Sequence, residues 1–208
     1  MFHKIPIWFQ RLFPGFTWQF PSNEKVIYLT FDDGPIPEVT PWVVEVLNEY
    51  KIKATFFVVG ENIKRNPNEF IDLIKAGHTI GNHTYHHVKG WSTSTKTYLH
   101  DVENCSQVII DSGGEMPIYF RPPHGRIKLS QANLLKENYK LIMWNVLSVD
   151  YDKSLSKEKC LINTIEATSS GAIVVFHDSL KAEKNLKYVL PKFIKHFINE
   201  GYSFKALP

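Results

Sequence analysis

The amino-acid sequence predicts one parallel α/β domain, either a closed barrel or an open doubly wound sheet. Short apolar runs rich in β-branched and aromatic residues alternate with helix-period stretches about seven times, with no linker and no internal repeat. Reactive side chains stand immediately after successive runs, where the carboxyl ends of parallel strands share one face of the fold. No Gly-rich phosphate loop follows any run, which argues against a nucleotide-binding sheet. The 208 residues suffice for one domain with a sizeable core, and 43% hydrophobic with 22% charged content is ordinary for a globular chain.

Residues 26–31 form the first run, too short for a helix, and read as a buried strand. Thr40-Pro41 opens a helix, with Thr as N-cap, and Trp42, Val43, Val46, Leu47 and Tyr50 recur at helical spacing. Residues 54–59 are the second strand, ended by Gly60. Asn66-Pro67 opens a helix with Phe70, Ile71 and Ile74 on one face and Gly77 as its stop. Residues 79–81 are a third strand running into Asn82-His83-Thr84-Tyr85-His86-His87. A long helix over 95–110 is closed by Gly113-Gly114, and a fourth strand over 118–120 precedes Arg121-Pro122-Pro123-His124-Gly125. Ser130 caps a helix to 138, and a fifth strand spans 140–146. Ser156 caps a helix to 168, and a sixth strand over 172–176 delivers His177-Asp178. A last helix spans 185–200, where Pro191 kinks it or marks its start. Residues 202–207 are a seventh strand.

Residues 1–24 are expected to be an aromatic-rich segment packed on a single domain of residues 25–208. They lack the continuous apolar core and small-residue cleavage site of a signal peptide, so a cytoplasmic protein is expected. A peripheral membrane anchor is the second reading, resting on Ile5, Ile7, Trp8, Phe9, Leu12, Phe13, Phe16 and Trp18. No transmembrane segment is present. Net charge is +3 without a clustered Lys/Arg block, which argues against nucleic acid. Cys105 and Cys160 form no disulfide framework and no metal motif, and read as small core hydrophobes.

The chemistry collects at strand ends: Asp32 and Asp33, then His83, His86 and His87, then Arg121 and His124, Asp150, and finally His177 and Asp178. Two adjacent carboxylates after a buried strand are costly without compensation. On extended backbone they also point in opposite directions, so one can bind a metal while the other acts on water. Asp33-Gly34-Pro35 is equally good turn chemistry. His83 and His87, four apart, can share an ion if helical, and His83 with His86 fits as well. Asp33 would complete a two-histidine, one-carboxylate set suited to zinc, and also to iron or cobalt.

These motifs resemble the polysaccharide deacetylases, the NodB-homology or carbohydrate esterase family 4 type. Thr30-Phe31-Asp32-Asp33-Gly34-Pro35 matches the first family motif, and His83-Thr84-x-x-His87 the second, which selects His87 over His86. Arg121-Pro122-Pro123-His124-Gly125 resembles the third, with His124 where Tyr or Phe is usual. Ser148-Val149-Asp150-Tyr151 resembles the fourth, with Tyr151 in place of Trp and Leu147 where many members carry Asp. Val175-Phe176-His177-Asp178 resembles the fifth, with Val175 for Leu.

The resemblance implies a distorted (β/α)7 barrel and metal-assisted hydrolysis of N-acetyl, sometimes O-acetyl, groups on a sugar polymer or oligosaccharide. Asp33, His83 and His87 would bind a divalent ion, zinc before cobalt, nickel or iron. Asp32 would be the general base and His177 the general acid. Arg121 would pair with and orient Asp32, and Asp150 would hold His177. The backbone N–H of His124 would be an oxyanion donor. Val175, with Leu147, would face the acetyl methyl, and Tyr151 or Trp144 the sugar. His78, His86, His100 and His196 remain surface or structural, and Asp178 a turn residue. A monomer is expected. The competing functions are a related amidohydrolase on a small non-sugar amide and a non-catalytic glycan-binding module.

Overall fold

A computed structural model describes residues 3–208. In chain order the elements are α1 (Ile7–Arg11), β1 (Val26–Asp32), α2 (Thr40–Glu49), β2 (Thr55–Val58), α3 (Gly60–Arg65), α4 (Pro67–Lys75), β3 (Thr79–Asn82), α5 (Thr95–Asp111), β4 (Tyr119–Phe120), α6 (Leu129–Leu135), β5 (Lys140–Leu141), β6 (Val146–Leu147), α7 (Lys157–Ala167), β7 (Ala172–His177), α8 (Glu183–Asn199) and β8 (Ser203–Lys205). The strands form one sheet in the order β5-β4-β3-β2-β1-β7-β6, with β8 beside β1, and every strand pair is parallel. β2 pairs Thr30–Asp32 of β1 and β8 pairs Val26–Tyr28, so these two short strands share one side of β1. The result is the expected distorted (β/α)7 barrel.

Strand alternation decides what faces where. Ile27, Leu29 and Phe31 of β1, Phe56 and Val58 of β2, and Val174 and Phe176 of β7 point outward into the main core beneath the helices. Phe31 is fully buried and stacks on Phe56 and Phe176, with ring centroids 4.9 and 6.1 Å away. The alternate residues face the barrel interior. There Phe57, Tyr119, Ile142, Ile173 and Leu207 pack together with Tyr28 and Trp144. Thr30 and Asp32 share that inner face at the carboxyl end of β1, as do Val175 and His177 on β7.

The two edges of the sheet, β5 and β6, are consecutive in sequence. Residues 142–145 therefore run from one edge to the other and close the barrel. The single strand expected over 140–146 is broken there, because the backbone has no neighbouring strand to pair with. Its polar groups are satisfied otherwise. Arg121 donates to the carbonyls of Ile142 and Met143 from inside. From outside, the segment before β1 bonds to it: Thr17 N–H to Leu141 O at 2.9 Å, Met143 N–H to Thr17 O at 2.7 Å, and Ile5 N–H to Asn145 O at 2.9 Å. Leu147 N–H likewise donates to His3 O.

Other local differences have plain causes. α2 begins at Thr40 itself, whose hydroxyl accepts from Ile36 N–H and donates to Asp178, so Thr40 is not the N-cap. α6 is capped by Lys128 with Gln131 rather than by Ser130, whose hydroxyl faces Thr95. α3 follows β2 at once, where the sequence reads only a stop at Gly60. α8 runs unbroken from Glu183 with Pro191 inside it, so Pro191 is not its start.

Candidate active site

The functional side chains rise from the carboxyl ends of β1, β3, β4, β6 and β7. Asp32 ends β1 with its carboxylate turned into the barrel. Arg121, fully buried after β4, donates to Asp32 Oδ1 at 2.6 Å and to Thr30 Oγ1 at 2.8 Å. The guanidinium also lies over the Phe57 ring, 4.1 Å from its centroid. A bare guanidinium in that interior would be costly. One carboxylate, one hydroxyl, two carbonyls and a ring face compensate it, and the same contacts hold Asp32 still.

Asp33 takes the opposite course. Its φ of 84° turns the chain out of the strand. The turn is then pinned from below: Gly34 N–H donates to Asp178 Oδ1 at 3.1 Å, Thr40 donates to Asp178 Oδ2 at 2.6 Å, and Asp178 N–H donates to Asp32 O. Only glycine fits at 34, since a Cβ there would lie 1.9 Å from Asp178 Oδ2. Asn62 donates to Asp33 O at 2.7 Å.

His83 and His87 do not sit on a helix. The chain after β3 is a loop in which Thr84 and His87 hold φ of 66° and 54°. That kinked path brings both rings to Asp33. His87 Nε2 is 3.2 Å and His83 Nε2 3.8 Å from Asp33 Oδ1, and the three candidate ligand atoms lie within 4.8 Å of one another. His83 Nδ1 is 2.7 Å from Arg121 O, a group that can only accept, so Nδ1 carries the proton and Nε2 is the free lone pair. Burial pushes the His83 pKa down to about 4, keeping the ring neutral. Burial pushes the Asp33 carboxyl up, but the His87 hydrogen bond and the nearby histidines outweigh it and hold it well below the usual carboxylate range. A neutral buried imidazole with an aimed lone pair, a second imidazole and an ionised carboxylate, the last two about a third exposed, fit a divalent cation with coordination positions left open.

His86 is directed elsewhere. Its Nδ1 lies 2.6 Å from Asp101 Oδ2, and Asp101 Oδ1 accepts from Tyr85 and His86 N–H. Asp101 thereby anchors the histidine loop, a role the sequence reading missed. The available signal was an acid amid the apolar stripe Tyr98, Val102, Cys105 of α5.

On the other flank, Asp150 is fully buried after β6. It accepts from His177 N–H at 2.9 Å and holds His177 Nδ1 at 2.7 Å, which leaves Nε2 for the cleft. Burial alone would lower the His177 pKa, but the charge and hydrogen bond of Asp150 reverse that and raise it to about 9. Asp32 and His177 are direct register partners on β1 and β7, on the same inner face. Neighbouring strands are about 4.8 Å apart, so the two groups flank one small space. Leu147, Val149 and Val175 form an apolar wall there with Trp144 and Tyr151. The Tyr151 ring stands edge-on to His177, centroids 4.8 Å apart. His124, φ 57°, lies with its ring 4.8 Å from that of His87; burial, then the His87 charge, lowers its pKa to about 4.

Residues 20–140 match the sequence profile of the family described as polysaccharide deacetylase. The chain belongs to that family. A peptidoglycan-N-acetylglucosamine deacetylase of Bacillus cereus is 33% identical over 190 residues, covering 90% of this chain and 89% of the relative. The crystal structure of the Bc1960 peptidoglycan N-acetylglucosamine deacetylase superposes with a TM-score of 0.90 at 29% identity, over 98% of this chain and 95% of that one. A mutant of BA3943, described as a family 4 pseudoenzyme with restored enzymatic activity, superposes with a TM-score of 0.82 at 25% identity, over 91% of this chain and 68% of that one. Among the described residues no helix is long and apolar enough to cross a membrane.

Proposed function

We propose that the chain is a metal-dependent hydrolase that removes N-acetyl groups from a sugar polymer, with N-acetylglucosamine of peptidoglycan as the favoured substrate. The observation that carries this reading is the register pairing of Asp32 with His177 beside the Asp33–His83–His87 cluster. Names carried by the relatives support the substrate class.

Asp33, His83 and His87 would hold the ion, and their donor set suits zinc before cobalt, nickel or iron. When bound, such a cation supplies a Lewis acid that polarises the acetamide carbonyl and lowers the pKa of water towards neutrality. Asp32, fixed by Arg121, takes the proton of the attacking water. His177, protonated through Asp150, gives a proton to the amine nitrogen as the C–N bond breaks, so acetate and a free amine leave. The backbone N–H of His124 is the oxyanion donor in this reading. The wall of Leu147, Val149 and Val175 receives the acetyl methyl, and Tyr151 borders the sugar.

The test is acetate release from N-acetylated chito-oligosaccharides and peptidoglycan. Wild type should release it, and Asp32→Asn should lose about 10²–10⁴-fold in kcat with its metal content unchanged. A wild type that releases no acetate, like a pseudoenzyme, or an Asp32→Asn variant with near-normal turnover, would overturn the reading.

A further inference from the structure

A second feature lies beside the cleft, on the His124 side. A pocket of 320 Å³ opens between the segment before β1 and the loops that carry Trp91 and His124. Phe9, Phe13, Phe16, Trp91, Ile127 and Leu129 line it. Of this lining Trp91 is 61% and Leu129 63% exposed, and on the segment that supplies Phe9 and Phe13, Trp8, whose ring meets that of Phe9, is 67% and Leu12 63% exposed. Large apolar side chains gathered in the open mark a contact surface rather than a core.

Charge on this surface is one-sided. The three stretches that meet here, residues 3–22, 84–100 and 116–136, contain no Asp or Glu. Their basic residues are Lys4, Arg11, Lys89, Lys96, Arg126, Lys128 and Lys136, with Arg121 buried in the site. Arg126 lies over the Trp91 ring at 5.4 Å and Lys136 over Phe16 at 5.3 Å, so cations and aromatic faces are interleaved at the rim. The partner must therefore be apolar within and anionic at its surface.

A sugar chain would also stack on these rings, but its hydroxyls need polar partners. The indole N–H of Trp18 is already given to Phe13 O, and that of Trp91 to Ile127 O. The Trp144 N–H is buried. Apart from His124 and the buried, unpartnered Trp144 N–H, which presents no surface to a ligand, the lining side chains have no free polar group to offer. Exposed Trp and Leu beside Lys and Arg instead match the interface of a membrane with anionic lipids.

We propose that this face docks on an anionic lipid bilayer. His124 belongs both to the pocket and to the catalytic cleft, so docking sets the cleft against the membrane. Resting on the deacetylase reading, the substrate class is then a glycan held at the membrane surface rather than one free in solution.

The test is sedimentation of the full chain with phosphatidylcholine vesicles, with and without phosphatidylglycerol. Binding should require phosphatidylglycerol and weaken with salt. Arg11→Gln should lower the affinity about fivefold, and Trp8→Ser with Leu12→Ser about a hundredfold. Both variants should keep wild-type Tm and wild-type acetate release from soluble chito-oligosaccharide, because these side chains point into solvent. Protein that stays in the supernatant with anionic vesicles overturns the docking, as does a double variant that binds like wild type. Trp91 fluorescence that answers chito-oligosaccharide and not vesicles gives the face to glycan and also overturns it. Vesicle binding without any acetate release strikes the deacetylase reading alone and supports the docking.

Discussion

Asp33, Thr84, His87, His124 and Val149 all hold φ between 54° and 84°, and all five stand at strand ends around the cleft. For residues other than glycine this backbone costs about 1–3 kcal/mol each, and a β-branched Thr or Val is the least suited to it. The strain turns Asp33 and His87 towards one point. That placement separates two histidines the sequence spacing leaves equivalent. His87→Ala should therefore lose bound zinc, whereas His86→Ala should retain it, since His86 is committed to Asp101. Elemental analysis of the two purified variants decides, and equal metal loss in both would sink the distinction. The same scale governs pH. His177 is raised to about 9 by Asp150, so its proton is present below that value and lost as pH rises through it. Turnover should fall on the alkaline side near pH 9. Asp150→Asn removes the anion and leaves burial, which acts the other way, so the alkaline limb should move to lower pH. A kcat profile with an unmoved limb would contradict the role given to Asp150. The His177 contribution to stability has the same sign: it is complete below the unfolded pKa and disappears as pH passes about 9.

At the scale of elements, strand alternation and strand-end chemistry were legible in the sequence because both depend on local pattern. Residues 26–31 could be read as a buried strand, and Asp32 and Asp33 as opposed. What the pattern could not show is long-range. The break between β5 and β6 follows from ring closure, not from residues 142–145 themselves. The spacing of His83 and His87 left open whether a helix carries them, whereas Asp101, some fifteen residues away, holds that stretch as a loop. The turn after β1 is a third case, held by Asp178 from β7. Burial raises the Asp178 pKa to about 8, so at neutral pH it is mainly protonated. An amide mimics it only in part: Asp178→Asn can still accept from Gly34 N–H, but its NH2 group cannot accept from the Thr40 hydroxyl. Asp178→Ala leaves Gly34 N–H and the Thr40 hydroxyl unsatisfied, at a cost of about 1–3 kcal/mol. Denaturant melts should place the Asn variant between wild type and the Ala variant. An Asn variant as unstable as Ala would mean that the Gly34 bond contributes nothing and the Thr40 bond alone holds the turn.

For the whole molecule, the site is the place where distant parts of a curled sheet meet. The turn after β1 supplies Asp33, and the loop after β3 supplies His83 and His87, with β2 between the two strands. A cation bound by all three ties the two sides together and binds the folded chain only. At a free ion concentration of ~1,000 times its Kd it should add about 4 kcal/mol to stability. For a chain of this size 1 kcal/mol shifts Tm by about 2–4 °C, so removal by a chelator should lower Tm by roughly 8–16 °C. Zinc or cobalt should restore both Tm and acetate release. The control is Asp33→Ala, which loses one of the three donors: its Tm should respond little to chelator or zinc. A wild-type Tm indifferent to chelation would remove the cation from the site whatever the geometry of its donors. An Asp33→Ala protein that still gains the full zinc shift would place the ion elsewhere in the cleft.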